Sequence, residues 1–285
     1  MHIRFLFSNG MLSKLLNQYF MYSKPQLALK YLSYYFTASN GKGHGIHSPF
    51  VFNLVTKVLN DKSQYTEFEK IELLRKQLLS NKTILEIEDF GAGSVKGSTK
   101  KRRVQQIASV SLKPKKYAQL LYKLVKYVKP KTILELGTSL GLTSAYLASA
   151  NKEAQLITIE GAPSIAAIAK ENLDHLQLQN VHLITGNFDE TLETVLAKKS
   201  AIDFVFIDGN HRKEPTLRYF EQLLKKSTEQ SLFVFDDIHW SRDMNEAWTT
   251  IKNHSSVTLT IDLFFIGLVF FRKEQKVKQH FTIRF

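Results

Sequence analysis

Two kinds of apolar pattern alternate through the second half of the chain. Short, almost wholly apolar runs stand at 132–136, 155–159, 181–185, 202–207 and 231–235. Between them lie longer segments, 141–150, 163–176, 188–197, 213–226 and 241–254, whose apolar residues recur at helical spacing. Strand and helix in alternation, with short connections, predict a parallel, doubly wound α/β sheet. Two further runs, 257–263 and 267–271, are joined too tightly to be parallel and predict a closing antiparallel hairpin. The first half reads differently. Residues 1–80 look mainly helical, with Leu27, Tyr31, Tyr34 and Tyr35 at helical spacing. The glycine-rich break at 40–45 follows, then a helix opened by Ser48-Pro49. Residues 81–130 hold an apolar strand at 83–87, a loop at 89–94, a basic stretch at 96–103 and a helix at 117–128.

The first strand of the alternating half runs into Glu135-Leu-Gly137-Thr138-Ser139-Leu-Gly141, then an alanine-rich helix, and the second strand ends on Glu160-Gly161. Glycines let backbone approach a ligand closely, a helix N-terminus offers free N–H groups, and a carboxylate past the second strand suits a ribose diol. The spacing differs from the G-x-G-x-x-G dinucleotide pattern, which argues against a nicotinamide or flavin. At this loop the chain resembles the class I S-adenosylmethionine (SAM)-dependent methyltransferases, whose first motif has the form E/D-x-G-x-x-x-G. The resemblance implies a Rossmann-like, seven-stranded sheet and agrees with the alternation. It also implies SAM contacts from Glu135, Gly137, Thr138, Ser139, Gly141, Glu160, Gly161 and Asp208. Further contacts would come from Gly186, Asn187 and Phe188 after the third strand, where the family usually has an acid and this chain has Asn187. A second loop, at 89–94, follows a similar strand but leads into lysines and arginines with no apolar strand ending on an acid. It is read as part of the cap.

Two buried-type strands end on acids: Phe-Val-Phe-Ile-Asp208 and Leu-Phe-Val-Phe-Asp236-Asp237. Neighbouring parallel strands bring these carboxylates together at the carboxyl edge, where open α/β sheets bind ligands. Carboxylates so packed repel unless a cation or hydrogen-bond donors compensate. Hard oxygen ligands favour Mg²⁺ or another such divalent cation. The arrangement resembles the metal-dependent O-methyltransferases of the catechol, caffeoyl-CoA and macrolide-sugar types. By that resemblance Asp208, Asp236 and Asp237 take the metal positions, His211 the general base, and 111–117 a lid over the cofactor. A metal-free alternative leaves Asp208 to the SAM amino group and Asp236–Asp237 to a loop cap. His239 and Trp240 either line the acceptor pocket or anchor the next helix.

Charge adds one more choice. The chain carries net +13, and residues 1–130 hold 22 Lys/Arg against 7 Asp/Glu, so the basic excess precedes the glycine loop. Such a segment suits nucleic acid, an anionic surface or an acidic substrate, or is simply solvated. The run Lys100-Lys101-Arg102-Arg103 is its densest part, and His44 and His47 lack the spacing of a metal site. The absence of cysteine excludes a disulfide framework and fits a reducing, cytoplasmic setting. The expected organisation is a basic, mainly helical cap over 1–110 and a methyltransferase domain over 111–285. The expected function is methyl transfer from SAM to a hydroxyl of a small-molecule acceptor, anionic ones included, with divalent-metal assistance. The rivals are an RNA methyltransferase that grips its substrate with the basic region and a non-catalytic SAM-binding protein.

Overall fold

The computed structural model describes residues 21–88 and 99–285. The loop at 89–94 and residues 96–98 of the basic stretch lie outside them. Before the main sheet come α1 (Lys24–Thr37), α2 (Pro49–Leu54) with a π-turn at Val55–Leu59, and α3 (Thr66–Ser80). A hairpin, β1 (Ile84–Glu88) and β2 (Thr99–Arg103), and α4 (Val104–Ser111) and α5 (Lys115–Val128) follow. The alternating half then runs β3 (Thr132–Leu136), α6 (Leu142–Ala150), β4 (Gln155–Glu160), α7 (Pro163–His175) and β5 (Val181–Thr185). It continues with α8 (Phe188–Ala197), β6 (Phe204–Ile207), α9 (Lys213–Leu224), β7 (Leu232–Asp236) and α10 (Arg242–Asn253). It closes with β8 (Leu259–Asp262), β9 (Ile266–Phe270) and β10 (Gln279–Thr282).

The main sheet has the order β10-β8-β9-β7-β6-β3-β4-β5. Strands β3 to β7 are parallel, and β9 runs antiparallel between β7 and β8. The doubly wound sheet with its antiparallel hairpin is therefore as expected, but it has eight strands and not seven. The extra strand, β10, is an edge strand parallel to β8. Its short, half-buried sequence after a polar stretch carries almost no strand signal, and pairing with β8 makes it one.

The basic run is also a strand. Lys101 lies opposite Glu86 in the β1–β2 ladder, and their side chains pair at 3.1 Å. Cross-strand opposite charges of this kind support register. Strand β1 belongs to this separate two-stranded sheet and not to the parallel one.

Helices cover both faces of the main sheet, as two buried faces require. One face packs Phe204, Phe206, Leu232 and Val234 against Leu121, Leu124 and Val125 of α5, together with Val51, Leu54, Val55 and Val58. The other packs Val205, Ile207, Phe233 and Phe235 against Tyr219, Phe220, Trp248 and Ile251. A third cluster joins Phe68, Ile71 and Leu74 of α3 to Tyr122 and Tyr146. The N-terminal helices thus share their apolar cores with the sheet-bearing half. No helix among the described residues is long and apolar enough to cross a membrane.

Candidate functional site

Glycine sets the geometry after β3. Gly137 has φ 106°, and a Cβ there would run into the carbonyl oxygen of Asp208. Gly141, at φ 80°, is the N-cap of α6. Ser139 also has positive φ, 48°. Glu160 braces this turn: its Oε2 accepts from the Ser139 N–H at 2.8 Å, and its Oε1 from the Ala162 N–H at 3.0 Å. Burial raises the Glu160 pKa in spite of these donors.

Glu135 lies under the loop, fully buried. It accepts from the hydroxyls of Ser144 and, at 2.7 Å, Thr158. Burial pushes its pKa up to about 8, against those hydrogen bonds. Thr138 turns the same way, its hydroxyl 2.5 Å from that of Thr158. Through these bonds the two side chains support the turn from inside. One atom is the exception, because Glu135 Oε1 is buried without a hydrogen-bond partner. Among the residues after β5, the Asn187 side chain caps α8 by accepting from Asp189 N–H at 3.0 Å. One lone pair of its carbonyl oxygen is used there, which leaves the other and the amide N–H₂ for a base edge. Gly186 leads into this cap, and the Phe188 ring packs against Gly209 and edge-on to Tyr219. An unpartnered buried acceptor, a glycine with no room for a side chain and an open helix N-terminus are features that fit SAM.

The acids converge as the strand pairing requires. Ile207 faces Phe235 in the β6–β7 register, so Asp208 and Asp236 follow side by side. His211 Nε2 lies 3.5 Å from Asp208 Oδ1. Asp208, His211 and Asp236 each offer a ligand atom within 4.8 Å of the others. Asp237, at φ 53°, is not part of that group. Positive φ at Ser139, Asn210 and Asp237 places strained backbone at the carboxyl ends of three adjacent strands, a pattern typical of ligand sites.

Lys113, in the turn between α4 and α5, was not singled out by the sequence. Its ammonium lies 3.1 Å from Asp208 Oδ2 and also bonds Asp236 Oδ2. Burial would lower the Lys113 pKa, but Asp208, Asp236 and Asp237 outweigh it and hold the ammonium charged. The same logic orders the acids. Burial favours a protonated Asp208, yet the charges of Lys113 and His211 keep it ionised well below the usual range. Asp236 is pushed well up by burial and by its ionised neighbour Asp208. For His211, burial lowers the pKa, and the hydrogen bond and charge of Asp208 more than restore it. The only sequence signal for Lys113 was the unmet need of clustered acids for a cation. Several lysines in 111–130 meet that description equally well.

Carboxylate and imidazole donors suit a hard or borderline cation. The space between Asp208 and Asp236, however, is taken by the Lys113 ammonium, and Asp237 stands outside the group. As assembled, these residues do not fit a resident divalent ion.

Comparison with known proteins agrees with the geometry. Residues 134–238 match the family model described as a methyltransferase domain. The chain is 35% identical over 133 residues to a catechol O-methyltransferase of Niastella koreensis, covering 46% of this chain and 58% of that protein. It is 31% identical over 114 residues to the O-methyltransferase imqG of Aspergillus flavus, covering 38% and 45% respectively. The chain therefore spans only about half the length of these relatives. A solved O-methyltransferase from Bacillus cereus, in complex with SAH, superimposes with TM-score 0.53 at 20% identity, over 78% of this chain and 97% of that one. The likeness is one of fold, a Rossmann-like doubly wound sheet.

The remaining candidate residues lie around the matched region. Segment 111–114 touches both the glycine turn and the acids: Ser139 Oγ donates to Ser111 Oγ at 2.8 Å, and Lys113 meets the acids. His239 is locked by Asn245 and Asp262, both at 2.7 Å, and Asp262 also accepts from Trp248 Nε1 at 3.1 Å. It is a packing residue, while Trp240 is partly exposed. Because Ile266 pairs with Asp236, Phe264 and Phe265 stand beside the acid cluster. Tyr117 packs edge-on to Phe265 and Tyr31 edge-on to Phe264, giving an aromatic wall drawn from three distant segments. Burial, then Tyr31 and Asp236, push the Tyr117 hydroxyl up to about 12. His44 and His47 are exposed and belong to no ligand cluster among the described residues.

Proposed function

We propose that the chain is a SAM-dependent O-methyltransferase acting on a hydroxyl of a small, aromatic acceptor in a cytoplasmic setting. The observation that carries this reading is the meeting, at one sheet edge, of the braced glycine turn and the Asp208–His211 pair. The relatives named for catechol and other O-methylation support the same chemistry. Gly137, Gly141, Glu160 and the unpartnered Glu135 oxygen would hold SAM, with Asn187 and Phe188 at the base end. SAM supplies a methyl group already activated by its sulfonium, so the protein's task is positioning and proton removal. His211, oriented by Asp208, takes the proton of the acceptor hydroxyl. The Lys113 ammonium has three donors, two of them used by Asp208 and Asp236, and stabilises negative charge developing on the acceptor oxygen. The aromatic wall of Tyr117 and Phe265 orients a flat ring. In this organisation, residues 1–110 act as the cap and 111–285 as the catalytic domain.

Calorimetric titration with SAM, followed by label transfer from SAM to a panel of catechols and other phenols, tests the proposal. Binding with phenol methylation is expected, and Glu160→Ala is expected to weaken SAM by roughly tenfold, the value of a hydrogen bond to a charged group. Absence of SAM binding sinks the reading. Exposed Arg102 and Arg103 on β2 favour nucleic acid as the second acceptor class. That reading requires oligonucleotide binding that falls steeply with salt.

A further inference from the structure

We propose that Lys113 is the resident cation of the acid cluster, standing where a divalent metal would stand, so that this chain neither needs nor takes up such an ion. Four observations carry the inference. Lys113 is 11% exposed, and its ammonium bonds both Asp208 and Asp236, the latter 2% exposed. Asp208, His211 and Asp236 each offer a ligand atom within 4.8 Å of the others, a grouping close enough to share one cation. Segment 111–114 is anchored on two sides, by Ser111 to the glycine turn and by Lys113 to the acids, so the ammonium is not a chance contact of a free side chain. Finally, Asp236 is buried beside the half-buried Asp208, and an ammonium in contact with both offsets part of the cost of placing two acids together.

A metal ion would have to expel Lys113 from this position and leave a buried ammonium without its partners. Paired buried charges are costly to break one at a time, so the exchange opposes metal entry. The place of Lys113 in the chain supports the role. Pro114 follows it and α5 begins at Lys115, which fixes the direction in which the turn delivers the side chain. Neighbouring Lys115 and Lys116 start the helix and make no ion pair with the acids.

The inference concerns which cation the acids hold, and its link to catalysis rests on the proposed methyl transfer. The test therefore reads metal binding directly. Full-length protein stripped with chelator is titrated with Mn²⁺, followed by electron paramagnetic resonance of the free ion, with SAM calorimetry run in parallel. The wild-type protein is expected to show no binding in the micromolar range. Lys113→Met keeps the aliphatic stem and removes the charge. It is expected to gain Mn²⁺ affinity by roughly tenfold or more, since a unit charge at contact distance is worth at least that at a protein surface. Adding Asp236→Asn to Lys113→Met is expected to abolish the gain. Stoichiometric micromolar Mn²⁺ binding by the wild type overturns the proposal, as does a folded Lys113→Met that gains nothing. Should Lys113→Met fail to fold, the wild-type titration decides alone. Loss of SAM binding in the wild type would refute the methyltransferase reading and leave the Mn²⁺ result to judge the cation separately.

Discussion

Two acidic residues of the site behave in opposite ways, and charge compensation decides which. Asp208 is half-buried beside an ammonium and an imidazole and stays ionised. Glu135 is more completely buried, has only hydroxyl donors, and is held near a pKa of about 8. For Glu135 the folded value lies above the ordinary one, so the folded protein retains a proton that the unfolded chain releases. Stability from this group is greatest in acid and falls as pH rises through the ordinary carboxylate range to about 8, then levels off. Glu135→Gln keeps a neutral acceptor toward Ser144 and Thr158 and removes that slope. Urea unfolding at about pH 5 and about pH 9 should show the wild type losing stability between them and the variant losing less. Equal losses would mean that Glu135 ionises freely in the fold. From the sequence, Glu135 and Glu160 looked alike as motif acids. Only their surroundings separate an inward prop from a brace at the cleft.

Among the elements, the connection between α4 and α5 is the one whose role the chain pattern least foretold. Its neighbours read clearly: the helix after Pro114 and the strand at 132–136 both follow from apolar spacing. The connection itself is short and polar, and polar turns look alike until their partners are placed. The Ser111–Ser139 hydroxyl contact ties it to the glycine turn. Ser139→Ala removes that tie and leaves the Ser139 N–H to Glu160 intact. SAM affinity should fall by a factor of roughly three to ten, the worth of one neutral hydrogen bond, with the melting temperature unchanged. A change in melting temperature with normal SAM binding would place the contact in the fold's stability and not in the closing of the cleft. The β1–β2 hairpin makes the same point about pattern. Its basic strand has no apolar alternation, and it exists as a strand because Glu86 and its neighbours lie opposite.

Taken whole, the molecule does not divide where its charge divides. The basic N-terminal region ends near residue 130, yet Val51, Leu54, Val55 and Val58 sit in the same apolar cluster as the strand residues Phe204 and Leu232. Burial this complete is cooperative, so Leu54→Ala should cost roughly 2–5 kcal/mol. It should lower the unfolding midpoint of the entire protein in one transition, observed by near-ultraviolet circular dichroism. A separate early transition confined to the helical part would instead show a cap that folds alone. The alternating pattern by itself determined the parallel sheet, the closing hairpin, the glycine turn and the meeting of Asp208 with Asp236. Each of these follows from local periodicity plus the rule that successive strands pair. The eighth strand, the inward turn of Thr138 and Glu135, the aromatic wall and the Lys113 ammonium between the acids had to wait for the folded chain. Each depends on residues far apart in sequence, and local pattern carries no record of which distant side chain will fill a given space.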